Sequence, residues 1–333
     1  MNKRILIFVF LFCLLIFVSL LSLFTGSSEM SIHQILSAVR EGKGSSDYSI
    51  IFDIRLPRIL MGFAVGGSLS LAGAILQGMF RNPLVEPYTL GLSGGSLLGV
   101  CLGILFGINR IFGIISLPLC GFAGAFVIIL LIYFLSMKKG IIQINGLLLT
   151  GVMISYISSS ALMLIMAIAK TEDLRGIVFW MMGSLEESNW SLIKLALSVS
   201  VAGLLASYYF CLSLNALSLG EEEAMHLGVN VERVKRILFV VASVLTGVCV
   251  SVAGLIGFVG LIVPHLLRML TGGDHRLLLA GSFLFGASFL IFCDMLARSI
   301  AAPMELPVGV ITGIVGGGFF VYAMSRRSRR WKI

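Results

Sequence analysis

Charge is scarce in this chain. Asp, Glu, Lys and Arg make up 12% of its 333 residues, about half the ~25% of an ordinary soluble domain. Hydrophobic residues make up 58%, and the mean hydropathy is +1.05. That balance excludes a soluble globular protein and leaves no room for a large soluble domain beside the apolar part. A spanning helix needs roughly 20 apolar residues, so the length holds about ten of them. The fold class this predicts is an all-α, polytopic membrane protein, with one transmembrane domain over residues 1–333.

Several chemistries are missing as well. The six cysteines (Cys13, Cys101, Cys120, Cys211, Cys249, Cys293) lie scattered in apolar runs, none at C-x-x-C spacing. They read as small core residues rather than a disulfide or metal framework. His33, His226, His265 and His275 do not cluster at ligand spacing, so no metal site is expected. No Ser/His/Asp set sits in a catalytic context, and no catalytic residue is assigned. Residues 42–46, "GKGSS", resemble part of a phosphate-binding loop, but Ser37 stands where its first glycine belongs. The chain is therefore expected to be no ATPase, no enzyme, and to bind no cofactor itself.

Charge inside the apolar runs is rarer still. Asp294 is the one carboxylate well inside a predicted span, and Arg298 lies one helical turn on, placed to pair with it. Ion-driven carriers keep a buried ionisable group on their path. Its near absence points to energy supplied by a partner; an ATP-independent secondary carrier is the rival reading. The net charge of +8 would suggest nucleic acid in a soluble protein. Here it is assigned to loops on one side of a membrane, with lipid as the neighbour and no nucleic acid.

What is present sets the topology. Spans are predicted at about 5–24, 59–80, 90–107, 112–136, 143–169, 190–212, 235–256, 258–271, 277–301 and 307–324. The first run is longer than a signal-peptide core and is read as a retained helix. Placing the N-terminus inside puts the larger share of Lys and Arg inside, among them Lys3, Arg4, Lys138, Lys139, Arg233, Lys235 and the basic tail. Both termini are then cytoplasmic, in a cell membrane. Three connections exceed turn length. Segment 25–57, outside, holds the amphipathic "SIHQILSAVREG", with Ser31 as its cap. Segment 170–189, outside, returns to the interface. Segment 213–236 is inside. Laying Gly66 on Gly247 also pairs Ser70 with Ser251, Ala72 with Ala253, Gly73 with Gly254 and Pro83 with Pro264. In this topology that is an inverted repeat, a transporter feature.

Glycines recur every fourth residue at Gly91, Gly95, Gly99, Gly103 and Gly107, and again at Gly309, Gly313 and Gly317. Such stripes let helix backbones approach closely; lining a pathway is the second reading. The inside loop "GEEEAMHLGVNVERVKR" predicts two short helices. Gly228 gives the first a left-handed end, and Glu232 faces Lys235 and Arg236. On these grounds alone it is either a partner's contact surface or a solvated loop. "RLPR" at 55–58 is likewise either a docking patch or a lipid anchor.

"RLPRILMGFAVGGSLSLAGAILQGMFRNPLVEPYTLGLSGGSLLG", "GLIGFVGLIVPHLLRMLTGGDHR" and "ELPVGVITGIVGGGFF" resemble the FecCD-type permeases of ABC importers for iron–siderophore, haem and cobalamin. The resemblance runs from about residue 30 to 324. It implies ten spans and a pathway between two permease subunits, identical or closely homologous. It also implies two cytoplasmic ATP-binding subunits and an extracytoplasmic substrate-binding protein. The ATPase-coupling loop falls on Gly220, Glu221, Ala224, Leu227, Gly228 and Arg233. Binding-protein docking falls on Arg55, Arg58 and Arg298, expected at the outer rim. Ferric siderophore is the leading substrate class implied, then haem, then cobalamin.

Overall fold

One helix of this molecule presents glycines where its neighbours cross it. It runs from Ser46 to Met79 (α2) and carries Gly62, Gly66, Gly67, Gly73 and Gly78 among Ser and Ala. Other helices close around it: 89% of its most apolar stretch is buried, against 22% for the N-terminal helix α1 (Lys3–Phe24). In the computed structural model, which describes residues 3–26, 44–108, 115–138, 144–187 and 189–328 with a few positions between, α2 is the central post. The amphipathic helix expected over 31–42 falls largely outside the described residues.

The remaining helices are α3 (Leu92–Leu105), α4 (Ser116–Ser136), α5 (Ile144–Ile168), α6 (Thr171–Met182), α7 (Trp190–Tyr209), α8 (Cys211–Leu219), α9 (Glu221–His226), α10 (Val231–Ala253), α11 (Val259–Thr271), α12 (His275–Ser299) and α13 (Val308–Ser328). A two-residue antiparallel pairing, Met137–Lys138 with Ile141–Ile142, joins α4 to α5. Among the described residues seven helices are long and apolar enough to cross a membrane; Leu92–Leu105, Val259–Thr271 and Val308–Tyr322 are shorter apolar helices. The sixth expected span divides: Phe210 closes α7 by bonding back to Ser207, and α8 starts afresh at Cys211.

Backbone meets backbone at the glycines of α2. A Cβ on Gly73 would lie 1.9 Å from the Gly260 carbonyl oxygen of α11, and one on Gly66 2.4 Å from that of Gly286 on α12. Between apolar helices in lipid, close approach of this kind supplies the dispersion that burial supplies in water. The stripe on α3 does the same against α4. A Cβ on Gly95 would meet Ile128, one on Gly99 would sit 2.1 Å from the Cys120 carbonyl oxygen, and Gly103 faces the Cys120 side chain. Gly91 departs from the expected stripe. Its φ of 78° makes it the left-handed turn that ends the single turn Pro87–Leu90 and starts α3. Gly107, with φ 65°, lies past the end of α3.

α2 and α12 run antiparallel, so the molecule has two distinct ends. One gathers Arg4, α8, α9 and the starts of α10 and α12. The other gathers the end of α1, Arg55 and Arg58, the α6–α7 connection, the end of α12 and the start of α13. The faces of α4 and α5 carry exposed Phe126, Leu130, Phe134, Leu149, Met153 and Ile157. Packing at Gly73 gives a direct test. Gly73→Ala should cost about 1–3 kcal/mol, since the obstructing atom is backbone and cannot rotate away. Gly313→Ala, with no atom within 4 Å of its added carbon, should be near neutral. Thermal unfolding in detergent compares them, and equal midpoints would contradict the close packing.

Candidate functional site

The segment from α8 to α10 is built as two short arms on one anchor. Gly220 breaks the chain between α8 and α9 with φ 147°, and a Cβ there would strike the Glu223 carboxylate. Ala224 is the only α9 residue that turns fully inward; it is buried in the core beside Leu214, Val231 and Val234. Its small side chain lets α9 lie flat on the bundle. Gly228, at φ 81°, ends α9 as expected: its N–H donates to Met225 O at 2.9 Å, and the Val229 N–H donates to Ala224 O at 3.0 Å. Asn230 then caps α10 by accepting from the Arg233 N–H at 3.1 Å. Leu227 and Met225 stand exposed beside Glu222, Glu223 and His226, and Arg233 points outward.

One lysine holds this hairpin together. Lys235 is buried, 2.8 Å from Glu221 on α9 and 2.9 Å from Glu232 on its own helix. The Glu232–Lys235 pair follows from spacing; the bond to Glu221, which fixes α9 against α10, does not. A second tie lies at the base. The Asn215 side chain of α8 donates to Asp274 at 3.0 Å and accepts from the His275 backbone N–H at 2.8 Å. Asp274 also caps α12 through the Arg276 N–H and pairs with Arg4 at 3.1 Å. The Asn215 amide, the Arg276 N–H and the two arginines hold the Asp274 carboxyl below the usual carboxylate range.

At the opposite end the three arginines come together, but buried. Arg55, Arg58 and Arg298 were expected at the outer rim; they are only 3%, 8% and 3% exposed. The reason is the carboxylates and carbonyls around them. Arg298 binds Asp294 at 2.9 Å and the Ser22 hydroxyl at 2.7 Å. Arg58 binds Glu305 at 2.6 Å, Glu186 at 3.3 Å and Asp294 at 3.9 Å. Arg55 donates to the Leu23 carbonyl at the end of α1. Both Arg55 and Arg298 close on Gly26, where an added Cβ would lie 3.3 Å from each guanidinium. Pro57 sits in the first turn of the straight part of α2, as expected. Glu186, partly exposed, has its carboxyl pKa raised by burial, with Arg58 opposing.

Between the two ends lies a cavity of about 530 Å³, walled by Met166, Met181, Met182, Leu255, Phe258 and Gly313 among others. It is almost wholly apolar. Gly313 opens onto it, whereas Gly309 packs against the Met182 and Leu255 carbonyls. The cavity flanks a break in the chain between α10 and α11, where Phe258 takes φ 68°. The N–H groups freed there are taken by Glu86, which accepts from Phe258 at 2.6 Å, and by the Tyr88 hydroxyl, which accepts from Ile256 at 3.2 Å. Irregular backbone at membrane depth survives where such partners exist.

The sequence profile of the FecCD transport family matches residues 14–326. The chain belongs to the FecCD transport family. Among relatives, the hemin transport system permease HmuU of Yersinia pestis is 37% identical over 96% of this chain and 95% of its own length. The cobalamin import permease BtuC of Halobacterium salinarum is 41% identical over 84% of this chain and 74% of its own. A solved inward-facing transporter assigned to the metal-chelate ABC type superposes with TM-score 0.85 at 33% identity, covering 97% of this chain and 99% of that one. The protein is thus an ABC permease of metal-chelate type, a transport component rather than an enzyme, and a multi-span membrane protein.

For this FecCD chain, sequence reasoning missed Asn215, Asp274, Glu186, Glu305, Glu86 and the glycines of α2. The last were legible as "GFAVGGSLSLAGAILQG"; the others act through partners far along the chain. The buried ion cluster predicts an asymmetry. Asp294→Ala strands two arginines in a buried site and should cost about 3–5 kcal/mol. Glu186→Ala removes a half-exposed partner and should cost about 1 kcal/mol or less. Thermal unfolding in detergent reads the difference; equal losses would refute the shared role of Asp294.

Proposed function

We propose that this permease is one half of an ATP-driven importer. Two copies, or this chain and a close homologue, enclose the pathway. Two cytoplasmic ATPase subunits bind the 220–236 hairpin, and an extracytoplasmic binding protein delivers the cargo at the arginine end. The observation that carries this reading is the hairpin itself. Gly220, Ala224, Gly228 and Lys235 make it rigid, while Leu227, Met225 and the acidic first turn of α9 are left exposed. Rigidity with exposed apolar tips suits a surface that must receive force from another protein.

In this proposal the chain spans the membrane ten times, counting the three shorter apolar helices, with both termini in the cytoplasm of the cell's inner or plasma membrane. The inverted repeat relates α2 to α10. The apolar cavity at Gly309 and Gly313 forms half of the path, completed by the second subunit across the exposed faces of α5 and α13. Methionines give such a wall an adaptable surface, suited to bulky cargo with an apolar exterior. A ferric siderophore is the leading cargo, with haem and cobalamin next. Arg55, Arg58 and Arg298 serve docking from beneath, by fixing the α6–α7 and α12–α13 connections that the binding protein meets.

Reconstitution tests the reading. The complex of permease, ATPase and loaded binding protein in liposomes should take up cargo with ATP and none without it; uptake by the permease alone would instead establish a secondary carrier. Gly228→Pro removes the Met225 bond and the left-handed turn. That variant should insert and bind lipid normally, yet lose ATP-driven uptake; full uptake would remove the hairpin from the mechanism.

A further inference from the structure

The α2–α12 pair is fastened at three levels. At the arginine end Arg58 and Arg298 share Asp294. Midway, Gly66 and Gly286 bring the backbones into contact. At the other end the His275 ring lies over Gly78, where a Cβ would sit 2.5 Å from its Nε2. The pair is therefore one body along the roughly 37 Å that a 25-residue helix spans. The hairpin that would receive force lies beside this body, and α8 is the element between them. Leu214 of α8 reaches toward Gly78, and Asn215 takes the first turn of α12 with both ends of its amide. A carboxamide used this way resists sliding in either direction, because each displacement breaks a donor or an acceptor contact.

We propose that Asn215 is the positioning residue that transmits movement of the 220–236 hairpin to the α2–α12 body, and through it to the arginine end. The proposal rests on the reading of that hairpin as the ATPase contact. Asp274 is its partner and also the cap of α12. A pull on α8 is thereby delivered at the helix terminus, where it moves the whole helix rather than bending it. The His275 N–H and Nδ1, both near the Asn215 carbonyl oxygen at 2.8 and 2.9 Å, complete the grip.

The test exploits the direction of the hydrogen bond. Asn215→Asp sets a carboxylate against Asp274, and the clamp should open. In the full reconstituted complex, Asn215→Asp should keep ATPase binding and hydrolysis but lower cargo moved per ATP by about five-fold or more, the range of a coupling free energy. Asn215→Ala, which removes the clamp without adding charge, should show the same loss and serves if the aspartate variant fails to insert. A normal ratio in either variant overturns the role of Asn215. If the wild-type complex takes up no cargo with ATP, the hairpin reading falls and this proposal with it.

Discussion

Asp294 lies between two guanidinium groups in a place where water is scarce, and the arrangement of one whole end of the molecule follows from that. A buried charge persists only when paired and hydrogen-bonded. Arg298 reaches Asp294 from the next turn of α12, and Arg58 reaches it from α2. Each arginine then has donors to spare. Those of Arg298 capture Ser22 of α1, and those of Arg58 capture Glu186 and Glu305 in two connections. Three helices and two connections thereby meet around one carboxylate. The requirement to satisfy every donor, more than attraction between any pair, decides which segments meet there.

The second constraint is the width of α2. Lipid offers no hydrophobic reason for helices to associate, so the bundle coheres where backbones touch. The glycines of α2 admit α11 on one side and α12 on another, and α3 and α4 repeat the device further out. The result is a dense centre and a loose, apolar periphery. An open apolar cavity lies where α6, α11 and α13 fail to close on each other. A rigid pair beside an unfilled space is what a permease of this family needs if it is to change shape by moving bodies rather than by melting helices.

Much of this was legible in the sequence, and the division has a physical cause. Apolar run length, glycine at every fourth position and a glycine just past a short helix are local signals, and α3, α9 and the seven longer apolar helices followed them. The identity of a buried ion's partner is not local. Arg58 and Glu305 are 247 residues apart, so the arginines read as exposed charges when they are interior ones. Gly91 matched a packing period by coincidence and serves a turn instead. Asn215 gave no signal, since a lone asparagine on a nine-residue helix has meaning only once Asp274 is beside it. Lys235 was legible in part: its partner on α10 is at helical spacing, its partner on α9 is not.

The central claim is that α2 and α12 move as one body, joined at the arginine end and driven from the hairpin end. Spin labels at Ile54 and Ile300, both exposed near the arginine end, would measure it in a background free of native cysteines. The labelled chain would be diluted with unlabelled copies in the full complex. Pulsed electron spin resonance should give the same distance between the two labels without nucleotide and with ATP trapped. A distance that shifts between those states would mean that α2 and α12 slide past each other, and would contradict the account.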